Sequence, residues 1–338
     1  MKKSISIILV LFVSILLIFL FDIKNSTSLN YPKYFPKIEY DLSKNPINKD
    51  KIELGKILFY DPILSKNNQI SCASCHSSYN AFAHTDHKLS HGINDEIGIR
   101  NAPALFNLAW QKEFMWDGAI NHLDMQALAP INSEIEMGEN TRNLISKLQK
   151  TNYYPELFYS AFGDSIIKTE YLLKSLSQFQ LTLISSNSRY DSVIKGKAKF
   201  SDKEKRGHEL FKNNCNSCHT EPMFTNYEYK KNGIKEDSIL KDFGRYNITE
   251  NINDKYLFKV PSLRNLKYSY PYMHDGRFEK LQFVINHYSE INIDNNLIHL
   301  NNNEKVDLTA FLLTLNDKEF TLNKNHKFPL KLIKILYQ

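Results

Sequence analysis

The chain has 338 residues, a net charge of +6, 42% hydrophobic and 24% charged residues, long enough for two ordinary domains with a sizeable core. This is the composition of a globular protein. The small charge excess is spread over many lysines, a solvated basic surface rather than a nucleic-acid footprint.

In chain order the first predicted element is apolar. MKKS is followed by ISIILVLFVSILLIFLF, residues 5–21, without a charge. The run is about long enough to span a thin bilayer, and also suits a long signal h-region. Two lysines before it and Asp22 after it favour a cytoplasmic N-terminus. With no small-residue cleavage site and no lipobox cysteine, it reads as an uncleaved anchor, with a cleaved signal as the alternative. Either way the remainder is exported. Residues 23–47 are polar, with three prolines and no clear period, and read as a linker.

Regular structure is predicted from about residue 48. KIELGKILFYDPIL (51–64) has apolar residues at helical spacing, then a proline stop. It leads into QISCASCH. Residues 77–103, rich in Gly, Asn, Asp and His, read as a long functional loop. Helical periodicity returns at 121–129, 141–149 and 167–184, and the lysine-rich KGKAKFSDKEK (195–205) marks a junction. Ser201 and Glu204 then form a capping box on a helix carrying Gly207, Leu210 and Phe211. L-G-x-x-L-F (54–59) ahead of Cys72 and R-G-x-x-L-F (206–211) ahead of Cys215 make a weak internal repeat. Strand patterns are scarce.

All four cysteines fall in two C-x-x-C-H motifs: Cys72, Cys75 and His76, then Cys215, Cys218 and His219. Two disulfides are an option for an exported chain, but a histidine directly after each pair argues for another use. On a helical turn positions i and i+3 share a face. Both thiols can therefore bond the two vinyl groups of one porphyrin, and the next imidazole meets the iron from the same side. This is the c-type haem attachment pattern, in which the other imidazole nitrogen stays free for a tuning hydrogen bond. A four-cysteine zinc site wants pairs about 15–20 residues apart, whereas Cys72 and Cys215 lie more than 140 apart. No βαβ context supports a thioredoxin-like pair. The expectation is two covalent c-type haems in a mostly α chain of two cytochrome c-like domains with long loops. Its parts are 1–22 signal or anchor, 23–47 linker, 48–195 first haem domain, 196–325 second haem domain and 326–338 tail. Whether residues after about 318 return to the first domain is open at this level.

SCASCH, SHG (90–92), RNAP (100–103), MWDG (115–118), DMQALAP (124–130) and EM (136–137) follow in order. RGHELF, CNSCH, VPSLRN (260–265), YPYMHDGRF (270–278) and LQFVINHY (281–288) occupy the second half. The series resembles the bacterial di-haem cytochrome c peroxidases, including their MauG-like relatives, over nearly all of residues 50–315. The resemblance implies a calcium ion between the domains. It also implies reduction of hydrogen peroxide to water with electrons from a small periplasmic cytochrome c or a blue-copper protein. Peroxide would react at the haem of His76, and electrons would enter at the haem of His219.

The resemblance implies residue roles as well. His91, fifteen residues after His76 and next to Gly92, matches a loop histidine that caps the resting peroxidatic iron. His84 and His87 compete with it, and MauG-like members leave that iron open. Glu136 matches a carboxylate that moves a proton between peroxide oxygens; a surface glutamate beside Glu134 and Glu139 is the rival reading. Gln126 matches an amide that holds peroxide by hydrogen bonding. Trp116 matches a tryptophan between the haems, whereas Trp110 reads as core. The family pattern W-D-G-R is here W-D-G-A, so Ala119 removes one positive charge near the haem propionates. Asn101 and the backbone carbonyls of Ser269 and Pro271 match calcium ligands, with simple turns as the rival. For the sixth ligand of the second haem, Tyr288 lies fourteen residues after His274. MauG-like members carry tyrosine there and the peroxidases proper carry methionine; Met273 and His287 compete.

Three functions follow: a di-haem peroxidase facing the periplasm, a MauG-like oxidase of a protein or organic substrate, or a non-catalytic electron-transfer cytochrome. No nucleic-acid partner is expected, and a homodimer is compatible with the sequence.

Overall fold

The computed structural model describes residues 27–293 and 296–336, so the apolar run at 5–21 lies outside the described residues. Among the described residues no helix is long and apolar enough to cross a membrane. The architecture is mostly helical, as expected. Helix α1 (Lys49–Tyr60) starts where the Asn48 side chain accepts hydrogen bonds from the amides of Asp50 and Lys51, and ends one residue before Pro62. The turn α2 (Cys72–Cys75) follows. Residues 77–103 hold only short 3-10 turns and bridges. Then come α3 (Leu123–Gln126), α4 (Leu128–Asn132), α5 (Thr141–Gln149), α6 (Tyr154–Phe162) and α7 (Thr169–Leu181).

The second half has α8 (Arg189–Ile194) and α9 (Asp202–Asn214). The capping box forms, with the Ser201 amide 2.7 Å from Glu204 Oε2. Strand β1 (Tyr229–Lys231) pairs antiparallel with β2 (Leu257–Lys259), Tyr229 opposite Lys259, and α10 (Tyr246–Thr249) lies between them in sequence. Helix α11 (Leu281–Tyr288), the short ribbon β3 (Asn292–Ile293) and β4 (Asn296–Leu297), α12 (Asn302–Leu313), α13 (Lys318–Leu322) and α14 (Leu330–Leu336) complete the chain.

The repeated L-G/R-G motif has a steric reason. A Cβ on Gly55 would sit 1.8 Å from the Ser175 carbonyl oxygen, and one on Gly207 would sit 1.9 Å from that of Asp307. Each glycine thus lets the helix before a haem turn cross a later helix backbone to backbone, α1 over α7 and α9 over α12. Both leucines and the phenylalanine of the first motif, and the phenylalanine of the second, enter the two cores. Leu54, Leu58 and Phe59 join Leu172, Leu176 and Phe179 in the first. Phe211, Phe224, Leu308 and Phe311 form the centre of the second.

Two segments behave differently from their composition. Residues 23–47, read as a linker, contribute Phe35, Tyr40 and Ile47 to the first core, and the edges of the Tyr31 and Phe35 rings meet Trp110. Their aromatic side chains bury without a helical or strand period, so no periodicity marks them. At the other end, Phe320 and Leu332 also join the first core, so the chain after residue 317 returns to it.

A buried ion pair ties these parts together. The Arg264 guanidinium, fully enclosed, donates to both oxygens of Asp191 at 2.8 and 2.9 Å and to the Pro222 carbonyl. It lies over the rings of Phe35 and Phe224, one from each core. Asp191 also accepts from Tyr34 and Ser188. Burial alone would raise its pKa, but the Arg264 bonds and charge outweigh that and hold it below the usual carboxylate range. Arg264→Leu leaves a buried carboxylate without its cation, and is expected to cost about 3–5 kcal/mol in chemical denaturation of the holoprotein. Gly207→Ala is expected to cost about 1–3 kcal/mol through overpacking, read as a lower calorimetric midpoint. An unchanged midpoint would mean that α9 and α12 separate freely.

Candidate functional site: two thiol–imidazole turns and the cleft between them

The first turn is built by local bonds. Ser71 and Ser74 form a capping box around α2, so the short helix has its amides satisfied despite its length. The His76 amide donates to the Cys72 carbonyl at 2.9 Å. His76 Nδ1 lies 2.9 Å from the Phe82 carbonyl. A carbonyl only accepts, so Nδ1 carries the proton and Nε2 keeps its lone pair. Burial pushes the imidazole pKa down to about 4 and the Cys72 thiol up to about 12. Cys72, Cys75 and His76 nonetheless keep accessible surface, as groups that line a cleft do.

The second turn repeats this. The His219 amide donates to the Cys215 carbonyl at 2.8 Å, and His219 Nδ1 is 3.2 Å from the carbonyls of both Phe224 and Pro261. Burial pushes His219 down to about 4 and Cys215 up to about 12. All four thiols are free. Among the described residues no three His, Cys, Asp or Glu side chains converge as a metal site, so the two thiol pairs do not join in a four-cysteine zinc centre. Each turn offers two thiols on one face and a neutral imidazole with only Nε2 available. That donor set fits a covalently attached haem, for which the free thiols stand in for thioether sulfurs.

Glu136 and Gln126 come from the segment that faces the first turn. The Glu136 backbone is held at both ends: its amide donates to Ser133, and its carbonyl accepts from Ile93 at 2.8 Å. A Cβ on Gly92 would lie 2.5 Å from the Glu136 Cα, so only glycine lets the histidine loop press this close. The carboxyl makes no hydrogen bond or ion pair among the described residues, its charge opposes that of the Cys75 thiolate, and burial raises its pKa. Glu139, by contrast, is a structural residue, buried with Lys147 at 2.8 Å, and Glu134 is exposed. The Gln126 amide is 4.0 Å from Met115 Sδ. Met115 was not among the residues singled out from sequence; its left-handed φ of +69° just before W-D-G is a feature that no spacing rule reveals.

The three loop histidines gather in a row. The His91 ring stacks on His87 with centroids 4.0 Å apart, and His87 lies 5.3 Å from His84. The His91 carbonyl accepts from the Cys75 thiol at 3.3 Å, which fixes its backbone at the edge of the first turn. His84 is buried with Nδ1 unpartnered, and its charge reaches His76.

Trp116 stands between the halves. Its indole N–H donates to the Asn101 carbonyl at 2.9 Å, and its own carbonyl accepts from the Lys259 amide at 2.8 Å. The Asn101 amide in turn donates to the His274 carbonyl at 2.7 Å. Trp110 is core, donating to Pro36. Beside Ala119, Arg100 pairs with Asp117 at 2.5 Å and with Asp242 at 2.6 Å. Arg245 donates to the Asp117 carbonyl at 3.0 Å. The Asn101 amide nitrogen donates to Lys88, which turns its side-chain oxygen away from that bond. That oxygen and the carbonyls of Ser269 and Pro271 accept no hydrogen bond among the described residues. Such uncommitted neutral oxygens suit a calcium ion.

At the second turn Tyr288, the last residue of α11, is enclosed. Burial raises the phenol pKa, and the Cys218 and Cys215 thiolates add to the rise, so its hydroxyl lies near both sulfurs. His287 is committed elsewhere, with Nε2 2.8 Å from the Asn232 carbonyl. Met273 occupies a left-handed turn, φ +75°, and makes no recorded contact with the thiol pair.

Residues 49–199 match the family model described as di-haem cytochrome c peroxidase. The methylamine utilization protein MauG of Methylophilus methylotrophus is 34% identical over 291 residues, covering 80% of this chain and 84% of that protein. The cytochrome c551 peroxidase of Nitrosomonas europaea is 34% identical over 275 residues, covering 80% and 81%. The crystal structure of a MauG-like protein associated with microbial copper homeostasis superposes with a TM-score of 0.81 at 28% identity, over 90% of this chain and all of that one. The diheme peroxidase BthA from Burkholderia thailandensis shares the fold, with a TM-score of 0.71 at 23% identity over 83% of this chain and 90% of that one. With two C-x-x-C-H turns in place and relatives matched over most of their length, the chain belongs to the di-haem cytochrome c peroxidase family, whose members are oxidoreductases.

Proposed function

We propose that this enzyme reduces hydrogen peroxide to water, with electrons from a small cytochrome c or blue-copper protein, on the periplasmic side of a membrane to which residues 5–21 tether it. The observation that carries this reading is the Glu136 carboxyl: half-buried, without a hydrogen bond or ion pair among the described residues, and close enough to Cys75 for its charge to act on that thiol. A group that stays uncommitted at the cost of desolvation suits proton transfer better than structure. The peroxidase names of several relatives support the substrate and the cytochrome donor.

Cys72, Cys75 and His76 would hold a haem, which would supply a redox-active iron for peroxide reduction. Glu136 takes a proton from one peroxide oxygen and delivers it to the other, so that water leaves. Gln126 holds the peroxide by its amide. His91, with His87 and His84 behind it, is the reserve from which a removable cap on the resting site would come. Cys215, Cys218 and His219 hold the second haem, and Trp116 carries electrons between the halves through a position bonded to both. Asn101, Ser269 and Pro271 are the residues that would hold calcium, which would supply a structural cross-link there. A purely electron-transferring cytochrome has no use for the unpaired Glu136 carboxyl.

One observation favours a second reading. Tyr288, and not Met273 or His287, lies by the second thiol pair. A phenolate there stabilises oxidised iron, where methionine would raise the potential. That would suit a MauG-like oxidase, which holds oxidising equivalents for an organic or protein substrate.

Glu136→Gln is expected to lower kcat/KM for peroxide about 10²–10⁴-fold. As a base Glu136 must start ionised, and burial raises its pKa. Wild-type activity therefore falls as pH drops through that raised value, and this acid limb vanishes in the variant; a retained limb contradicts the assignment. Tyr288→Phe is expected to change the EPR and optical spectra of the second haem only. Unchanged spectra would remove the oxidase reading.

A further inference from the structure

We propose that the returning C-terminal segment, residues 317–327, is a strap that positions His76 by clamping Phe82 and so sets the properties of the first haem alone. This rests on the reading of His76 as an iron ligand.

The Phe82 carbonyl fixes the His76 tautomer and ring plane. To point it there, Ala81 and Phe82 both take left-handed backbone, φ +52° and +59°, which costs L-residues roughly 1–2 kcal/mol each. Such a turn persists only if its surroundings over-determine it. Phe82 is fully buried, boxed on one side by Phe59 and Phe179 from α1 and α7, with ring centroids 5.8 and 6.2 Å away. The opposite side is closed by Phe320 and His326 of the strap, at 5.9 and 6.0 Å.

The strap is secured at both ends. Asp317 accepts from the amides of Ser186, Asn187 and Phe320 at 2.9 Å each, and its own amide donates to Asn265. At the far end Tyr60 donates to the His326 carbonyl at 2.5 Å. The Lys327 ammonium lies 3.2 Å from the centre of the Tyr79 ring. His326 Nδ1 closes the loop onto the Phe320 carbonyl at 3.1 Å.

The second turn shows what differs. Phe224 is its counterpart, also left-handed at φ +56° and fully buried. It is boxed by Tyr190, Phe211 and Phe311 with the Arg264 guanidinium, all from its own core. The first turn alone borrows its support from the far end of the chain. The strap residues touch neither thiol nor cleft in any recorded contact, so they are positioning residues.

The test uses the full holoprotein with Phe320→Ala, Phe320→Leu and Phe328→Ala. Phe328, the residue just after the strap, packs on Tyr60 but not on Phe82. EPR and potentiometric titration read each haem, with the first identified by its loss in Cys72→Ser/Cys75→Ser. Phe320→Ala should split the first haem's EPR signal into several species and shift its midpoint potential, with the second haem unmoved. Phe320→Leu should recover most of the native signal, and Phe328→Ala should leave both haems native. If Phe320→Ala does not fold, His326→Asn replaces it with the same expected first-haem change. Native first-haem spectra in the folded variant, or equal changes at both haems, overturn the proposal. Wild-type protein without haem at Cys72 and Cys75 would instead sink the reading on which it rests.

Discussion

A hydrogen bond from imidazole Nδ1 to a buried phenylalanine carbonyl governs each half of this molecule. It decides which nitrogen of His76 or His219 carries the proton, and so leaves Nε2 as a ligand. The carbonyl can reach only because the phenylalanine backbone is left-handed, and it stays so only because the ring is locked in an aromatic box. The crossing of two helices through a glycine supports that box: Gly55 against Ser175 in one half, Gly207 against Asp307 in the other. The chemistry at each turn thus depends on packing several layers away.

On this common frame the halves diverge. The first faces a segment that supplies an unpaired carboxyl, an amide and a row of three histidines, the means for proton transfer and for opening a site. The second faces Tyr288, at the end of α11, whose phenol pKa is raised by burial and by the charges of both thiolates. Between them Trp116 is held by its indole on the Asn101 carbonyl and by its own carbonyl under the Lys259 amide, while the Asn101 amide bonds the His274 carbonyl. Arg100 and Arg245, far apart in sequence, both bond to Asp117, the first at its carboxylate and the second at its carbonyl.

Much of this was legible in the sequence, because its causes are local. C-x-x-C-H is a one-turn pattern, the Ser201–Glu204 box spans one turn, and the L-G-x-x-L-F repeat keeps its spacing in both halves. Glu136, Gln126 and Trp116 are singled out by motif order alone, and the roles given to them belong to the proposed function. What stayed hidden depends on long-range contact. Phe82 and Phe224 look like ordinary core residues, because left-handed backbone at a phenylalanine has no sequence signature. Residues 23–47 read as a linker because aromatic anchors without a period resemble loop. The return of Phe320 to the first core joins residues 238 positions apart, from Phe82 to Phe320.

The central claim is that both thiol pairs grip haem with the adjoining imidazole on the iron. It is tested most directly by the intact mass of protein made with a working cytochrome maturation system. The account predicts the polypeptide mass plus two haems, with peptides 72–76 and 215–219 each carrying one. A mass equal to that of the polypeptide alone would contradict it.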